Sequence, residues 1–175
     1  MSLYTKIGDQ GSTRFPDGRL GRKSEPVVSA LGSLDELNSH IGLCLCEARA
    51  RGFAEIVDAL TPLQGHIITL SATLVQAAGK TAMVKLDDNT IGEMETLIDE
   101  ITAALGPLRS LIVPGGSELA CRLHVARTVC RRAERDLVAV NDHQHLLEPA
   151  TLPFINRLSD LLFNLARLAN HQVGC

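Results

Sequence analysis

From about position 33 onward, apolar residues recur every three or four positions; before position 25 they do not. Leu34, Leu37, Ile41, Leu45 and Ala48 fall on one helical face. They predict a helix from Ser33 to about Arg51, with Gly52 as its stop. Ser33 followed three residues later by Glu36 has the form of a capping box. A second helical pattern runs from about Ala54 to Ala78, closed by Gly79 and Lys80. Pro62 sits early in it and either opens a new segment or bends the helix. Residues 80–86 read as a connector. Asp87, Asp88 or Asn89 then caps a third helix, with Ile91, Met94, Leu97, Ile98, Ile101 and Leu105 on one stripe and Gly106-Pro107 at its end. Residues 111–116 read as a turn carrying exposed apolar side chains. Ser117 and Glu118 open a fourth helix that runs to about Val140, and residues 141–149 form a polar loop. Thr151 caps a fifth helix to about His171, with Pro153 in its first turn, where a missing N–H is harmless. No strand signal competes. The pattern predicts an all-α fold, a five-helix up-and-down bundle, preceded by a loop over residues 1–25.

Composition narrows this picture. A chain of 175 residues suits one domain, and no internal repeat divides it. With 17 Lys+Arg against 20 Asp+Glu the net charge is -3, which argues against a general nucleic-acid binder. Hydrophobic content of 45% excludes global disorder. The longest uncharged stretch, Ala59 to Gly79, carries Thr61, Gln64, His66, Thr69, Ser71, Thr73 and Gln76, so it reads as a helix buried within a bundle and not as a membrane span. The N-terminus MSLYTKIGDQGSTRF lacks the apolar core of a signal peptide, and a cytoplasmic location is expected. Five cysteines (Cys44, Cys46, Cys121, Cys130 and Cys175) form no CxxC pair. They read as small buried hydrophobes in a reducing compartment, with no metal site.

The candidate chemistry is concentrated on two helices and the first loop. On the fourth helix Arg127, Arg131, Glu134 and Arg135 share one stripe. A solvated face explains such a stripe, but every base in it is arginine, which suits bidentate contact with phosphate or a carboxylate across a subunit boundary. On the fifth helix Asn156, Asp160, Asn164 and Arg167 share a stripe that faces water or lines a cleft or subunit contact. Asp35 and Glu36 near the start of the first predicted helix suit its dipole. His66 and His124 read as structural. No catalytic triad and no paired-carboxylate signature is present. The first loop interleaves Gly8, Gly11, Gly18 and Gly21 with Thr5, Lys6, Thr13, Arg14 and Lys23. It is no Walker A sequence, though its backbone N–H groups can face phosphates.

Three segments together carry a family resemblance. YTKIGDQGSTR (4–14), with Lys23 and LGSLDELNSHIG (31–42), resembles the opening of PduO-type ATP:cob(I)alamin adenosyltransferases. HVARTVCRRAER (124–135) is similar to their central signature and FINRLSDLLFNLARLAN (154–170) to their last helix, with VPGG (113–116) in place between. The resemblance implies transfer of the 5′-deoxyadenosyl group of ATP to the cobalt of cob(I)alamin by a homotrimer with sites at its subunit interfaces. It implies nucleotide contacts from Thr5, Lys6, Gly8, Thr13, Arg14 and Lys23 of the loop. Arg131, Arg132, Glu134, Arg135 and Asn156 would come from the neighbouring subunit's bundle, with Arg131 and Asn156 nearest the chemistry. Asp35 and Arg127 match an intersubunit salt bridge. Mg²⁺ on the triphosphate, a flavoprotein reductant and an adenosylcobalamin-dependent enzyme complete the implied partners, with no nucleic acid and no membrane. Leu111 stands where the family usually has a phenylalanine that helps displace the lower ligand of cobalamin, and the sequence ends at Cys175, where relatives commonly continue with a tail near the corrin. Both departures fall on the corrinoid side. The alternative is an ATP-dependent cobalamin carrier or sensor with weak turnover.

Overall fold

The first described segment is not the featureless loop that its composition predicts. A single 3₁₀ turn covers Ile7–Gln10, and two short strands follow, β1 (Ser12–Arg14) and β2 (Leu20–Arg22). They pair antiparallel, with Ser12 opposite Arg22, Thr13 opposite Gly21 and Arg14 opposite Leu20. Three-residue strands are too short to leave a period-2 pattern, so the hairpin was invisible to periodicity. It depends on Gly21: a Cβ there would stand 2.5 Å from Phe15 Cε2 and 2.9 Å from Glu25 Oε1. Phe15 itself is buried and joins the hydrophobic core, which roots the hairpin in the bundle. The computed structural model describes residues 4, 6–15, 18–77, 86, 88–108, 110–144 and 147–175. Most of the expected 80–86 connector, and Asp87, lie outside them.

Helix α1 spans Pro26–Arg51, about two turns longer at its start than the apolar pattern suggested. Pro26 occupies the first turn, where its fixed φ is already helical. Gly52, at φ 73°, ends the helix as expected. Ser33 is therefore no cap. It lies mid-helix, and its Oγ donates to Asp136 Oδ2 at 2.5 Å on another helix. The β-branched pair Val27-Val28 and Gly32, all weak helix formers, masked this first stretch. Helix α2 (Ala54–Ala77) runs on through Pro62, which starts no new segment. Helix α3 is Asp88–Leu105 and ends before Gly106 at φ 73°. Helix α4 is Glu118–Gln144, so the predicted 141–149 loop begins about one turn late. Helix α5 is Thr151–Gln172, preceded by Ala150 at its N-cap; Thr151 is buried in the first turn and does not cap it.

The helices pack in the lateral order α2, α1, α4, α5, α3, with a lighter α2–α5 contact closing the bundle. Ser33–Asp136 and Glu36–Arg132 show that α1 and α4 run antiparallel. Leu34, Leu37, Ile41, Leu123, Leu137, Phe154 and Leu158 sit at the centre with no exposed surface. The expectation of an all-α five-helix bundle holds, with the hairpin added at one end. Among the cysteines only Cys44 and Cys130 are buried, while Cys46, Cys121 and Cys175 are exposed, so the reading of all five as core residues fails for three. Burial pushes the Cys44 thiol up to about 12, and it stays a neutral packing group. No described helix is long and apolar enough to cross a membrane.

Candidate active site

The N-terminal group of predicted site residues is gathered by the hairpin. Lys6 adopts a left-handed conformation (φ 62°) just before the 3₁₀ turn, an uncommon state for a side-chain-bearing residue. Lys23 follows β2 and folds back: its backbone N–H donates to Gly11 O at 2.9 Å, and its Nζ lies 3.1 Å from where a Cβ on Gly8 would stand. Gly8 thus leaves room for the ammonium group. Arg14 is held by donation from Nη1 to Gly18 O at 2.9 Å, and Thr13 sits mid-strand opposite Gly21. Lys6, Gly8, Thr13, Arg14 and Lys23 are therefore brought into one small lobe. Thr5 lies outside the described residues.

The second group forms on adjacent faces of α4 and α5. Asn156 Nδ2 donates to Glu134 Oε1 at 3.0 Å, joining the two helices. Arg157 Nη1 donates to Asn156 Oδ1 at 3.0 Å, and Arg157 Nε donates to Glu95 Oε1 on α3 at 2.7 Å. Both ends of the Asn156 carboxamide are thereby oriented. Glu95 was not a sequence candidate, because an exposed glutamate on an amphipathic helix carries no distinguishing signal. The three arginines that follow one another along α4 have different duties. Arg132 is ion-paired to Glu36 of α1. Arg135 Nη1 donates to the carbonyl of Arg131 at 3.0 Å. Among the described residues no hydrogen bond or ion pair occupies the Arg131 guanidinium, and Arg131 is exposed.

Among the described residues no hydrogen bond or ion pair joins the hairpin group to the Arg131–Asn156 group within one chain. Asp35 is exposed and makes no ion pair with Arg127 in the chain, while Arg127 Nε is buried without a partner. The α5 stripe divides. Asp160 is exposed, but Asn164 is buried and donates to Thr102 Oγ1 at 3.2 Å, and Arg167 donates to Asn164 Oδ1 and to Gly106 O at 2.8 Å. Asn164 and Arg167 hold α3 against α5, so neither simply faces water, and Arg167 also borders a cavity, in line with the cleft-lining expectation.

The turn before α4 presents its apolar residues outward: Leu111 is 98% exposed and Val113 85% exposed. Beside it His124 is buried, tilted against Phe163 with ring centroids 6.1 Å apart, and its Nδ1 has no partner. Burial first, and the positive charge of Arg127 second, hold the His124 pKa below its ordinary 6.5. The unfolded chain therefore takes up a proton near pH 6.5 that the folded chain refuses. The stabilising contribution is intact above that pH and is lost as pH falls below it. Thermal melts between pH 7.5 and 5 should show a falling melting temperature in the wild type and a shallower fall in His124→Gln. Parallel profiles would remove His124 from the account of acid sensitivity.

Residues 3–169 match the model of the cobalamin adenosyltransferase family. A corrinoid adenosyltransferase of Bacillus subtilis (strain 168) is 40% identical over 99% of this chain and 89% of its own length. The corrinoid adenosyltransferase PduO of Citrobacter freundii is 38% identical over 98% of this chain, which spans 51% of that longer relative. Among solved structures, a phenylalanine-to-alanine variant of a PduO-type ATP:corrinoid adenosyltransferase from Lactobacillus reuteri, complexed with cobalamin and ATP, superposes with a TM-score of 0.89 at 34% identity, covering 97% of this chain and 94% of that one. An arginine-to-lysine variant from the same organism, complexed with ATP, superposes with a TM-score of 0.84 at 34% identity, over 97% of this chain and 94% of that one.

Proposed function

The chain belongs to the cobalamin adenosyltransferase family, and from that membership we infer that it transfers the 5′-deoxyadenosyl group of ATP to the cobalt of cob(I)alamin. The products are adenosylcobalamin and triphosphate. The carrying observation is the exposed, unengaged Arg131 guanidinium beside the oriented Asn156–Glu134 pair. In the reaction the electron pair of cobalt(I) forms the bond to the 5′-carbon, and the carbon–oxygen bond to the triphosphate breaks. Reduced cobalt is a strong nucleophile, so the protein needs no general base. Its work is to hold ATP with the 5′-carbon toward cobalt and to neutralise the leaving triphosphate.

Two groups of residues divide this work. Thr5, Lys6, Gly8, Thr13, Arg14 and Lys23 of one subunit hold the nucleotide from the hairpin side. Arg131 of a neighbouring subunit receives a phosphate, and Glu134 and Asn156 orient the nucleoside end. Arg132 and Arg135 set the position of the stripe through Glu36 and the Arg131 carbonyl. The lack of any hydrogen bond or ion pair between the two groups among the described residues, and the partnerless Nε of Arg127, support a homotrimer in which Arg127 meets Asp35 across the interface. Mg²⁺ fits this site as an ion carried on the phosphates. The described residues hold no cluster of three or more His, Cys, Asp or Glu that would cage a metal, and Mg²⁺ commonly binds through phosphates, waters and one or two carboxylates. Its role there is charge neutralisation on the phosphates. The setting is cytoplasmic, with electrons for cobalt from a flavoprotein and delivery of the product to an adenosylcobalamin-dependent enzyme.

Leu111 favours a second reading, a carrier with weak turnover, because a leucine fills less space over the lower face of cobalt than an aromatic ring. Adenosylation of cob(II)alamin supplied with a mild one-electron reductant, compared with cobinamide, which lacks the lower ligand, separates the two readings. Adenosylcobalamin from both substrates, with cobinamide preferred and the preference narrowed by Leu111→Phe, is the expected result. ATP binding without alkylation of either corrinoid, even with a strong reductant, would support the carrier instead.

A further inference from the structure

We propose that Asn170 is a positioning residue for corrinoid binding. One carboxamide on α5 fixes the turn that presents Leu111, Ile112 and Val113, which the adenosyltransferase reading places against the corrinoid.

Leu111 and Val113 are almost wholly exposed, so packing does not fix them. What sets their place is the backbone just after them, where Pro114, Gly115 and Gly116 turn the chain into α4. Asn170 Nδ2 donates to Gly115 O at 2.9 Å, and Asn170 Oδ1 accepts from the Ser117 backbone N–H at 2.9 Å and from Ser117 Oγ at 3.1 Å. Ser117 Oγ in turn accepts from the Ala120 N–H at 3.2 Å, so the same hydroxyl caps the first turn of α4. The approach is so close that residue 116 must be glycine: a Cβ would lie 2.3 Å from Asn170 Oδ1, and the backbone there is left-handed at φ 97°.

Asn170 also anchors the opposite side of the same recess. Its carbonyl accepts from the N–H groups of Val173 (3.2 Å) and Cys175 (3.0 Å), which curls the last residues back toward the turn. Between them lies a cavity of about 310 Å³ bordered by Leu105, Ile112, His124, Arg167, Asn170 and Cys175. One residue thus holds the apolar turn with its side chain and the end of the chain with its backbone, across the recess that they border. A cap on α4 alone would need only Ser117. The added donation to Gly115 is what ties the turn to α5.

Steady-state kinetics of Asn170→Ala, Asn170→Asp and Gly116→Ala test this. Asn170→Asp keeps the acceptor for Ser117 but sets a carboxylate oxygen against the Gly115 carbonyl, which breaks the tie to the turn, so it carries the test even where Asn170→Ala does not fold. Loss of that bond is expected to raise KM for cobalamin by about tenfold, with KM for ATP unchanged within about twofold. Gly116→Ala, acting on the same joint from the other side, should give the same selective shift. Unchanged KM values in a folded Asn170→Asp, or equal rises for ATP and cobalamin, would overturn the proposal. Absence of adenosylcobalamin from the wild-type protein has a different signature. It would overturn the functional reading beneath the proposal, and the proposal with it.

Discussion

Arg131→Ala is expected to lower kcat/KM for ATP by about 10- to 150-fold, the equivalent of the ~1.5–3 kcal/mol attached to a charged hydrogen bond. The Arg131 guanidinium is exposed and uncommitted, whereas Arg132 faces Glu36, Arg135 reaches the Arg131 carbonyl, and Arg127, also unpartnered, is half-buried. Among the described residues the side chain makes no hydrogen bond or ion pair, so circular dichroism and the melting temperature should not move. The shared-site arrangement adds a sharper outcome. Subunits carrying Arg131→Ala retain an intact hairpin, and subunits carrying Lys23→Ala retain an intact stripe. Mixed by unfolding and refolding together, they should form some interfaces with both halves intact, about a quarter of the sites in a random 1:1 trimer population. Partial recovery of activity in the mixture, absent from either variant alone, is the predicted reading. No recovery in verified mixed trimers would place both groups in one subunit and contradict the shared-site arrangement. Wild-type kinetics in Arg131→Ala would remove Arg131 from the site.

Phe154→Ala carries the largest expected cost to the fold. Phe154 has no exposed surface, lies at the start of the α5 core face, and meets the His66 ring edge-on at 5.9 Å and 88°. Truncating such a side chain removes its transfer energy and leaves a cavity, about 3–5 kcal/mol together. For a domain of this size that lowers the melting temperature by on the order of 10 °C. The neighbouring Ile155 carbonyl accepts from Cys130 Sγ at 3.3 Å, and Asn156 follows directly. The cavity therefore opens next to Asn156 and its bond to Glu134. Denaturant melts check the magnitude. A loss under about 1 kcal/mol would mean that the α2–α5 contact collapses to fill the space.

The helices were legible because Leu, Ile and Ala recur at a steady period over four or more turns, a signal that single substitutions barely disturb. The misread boundaries all lie where propensity and packing disagree. Val27, Val28 and Gly32 are weak helix formers that stay helical in a stretch whose Val27 is buried in the core, and Ser33, which looks like a cap, spends its hydroxyl on Asp136 instead. The hairpin was missed because its stability comes from Phe15 and Glu25 closing over Gly21, contacts without a local pattern. The candidate site left an uneven signal in the sequence. The arginine stripe and Asn156 stood out by residue type, whereas Glu95 and Asn170 are placed by contacts across 62 and 55 residues of chain. The one hint of Asn170 was the Gly115-Gly116 pair itself, which implies a close neighbour without naming it. The α5 stripe misled for the opposite reason: Asn164 and Arg167 look like surface residues and instead tie α3 to α5.

In the proposed reaction ATP is opened at its 5′-carbon and nowhere else. A single turnover with excess protein, cobalamin fully reduced to the cobalt(I) state, and ATP labelled in its phosphates tests that directly. The account predicts one cobalt–carbon bond formed per intact triphosphate released, with both appearing at the same rate. Release of phosphate or pyrophosphate from ATP, or ATP left whole beside unalkylated cobalt(I), would contradict it.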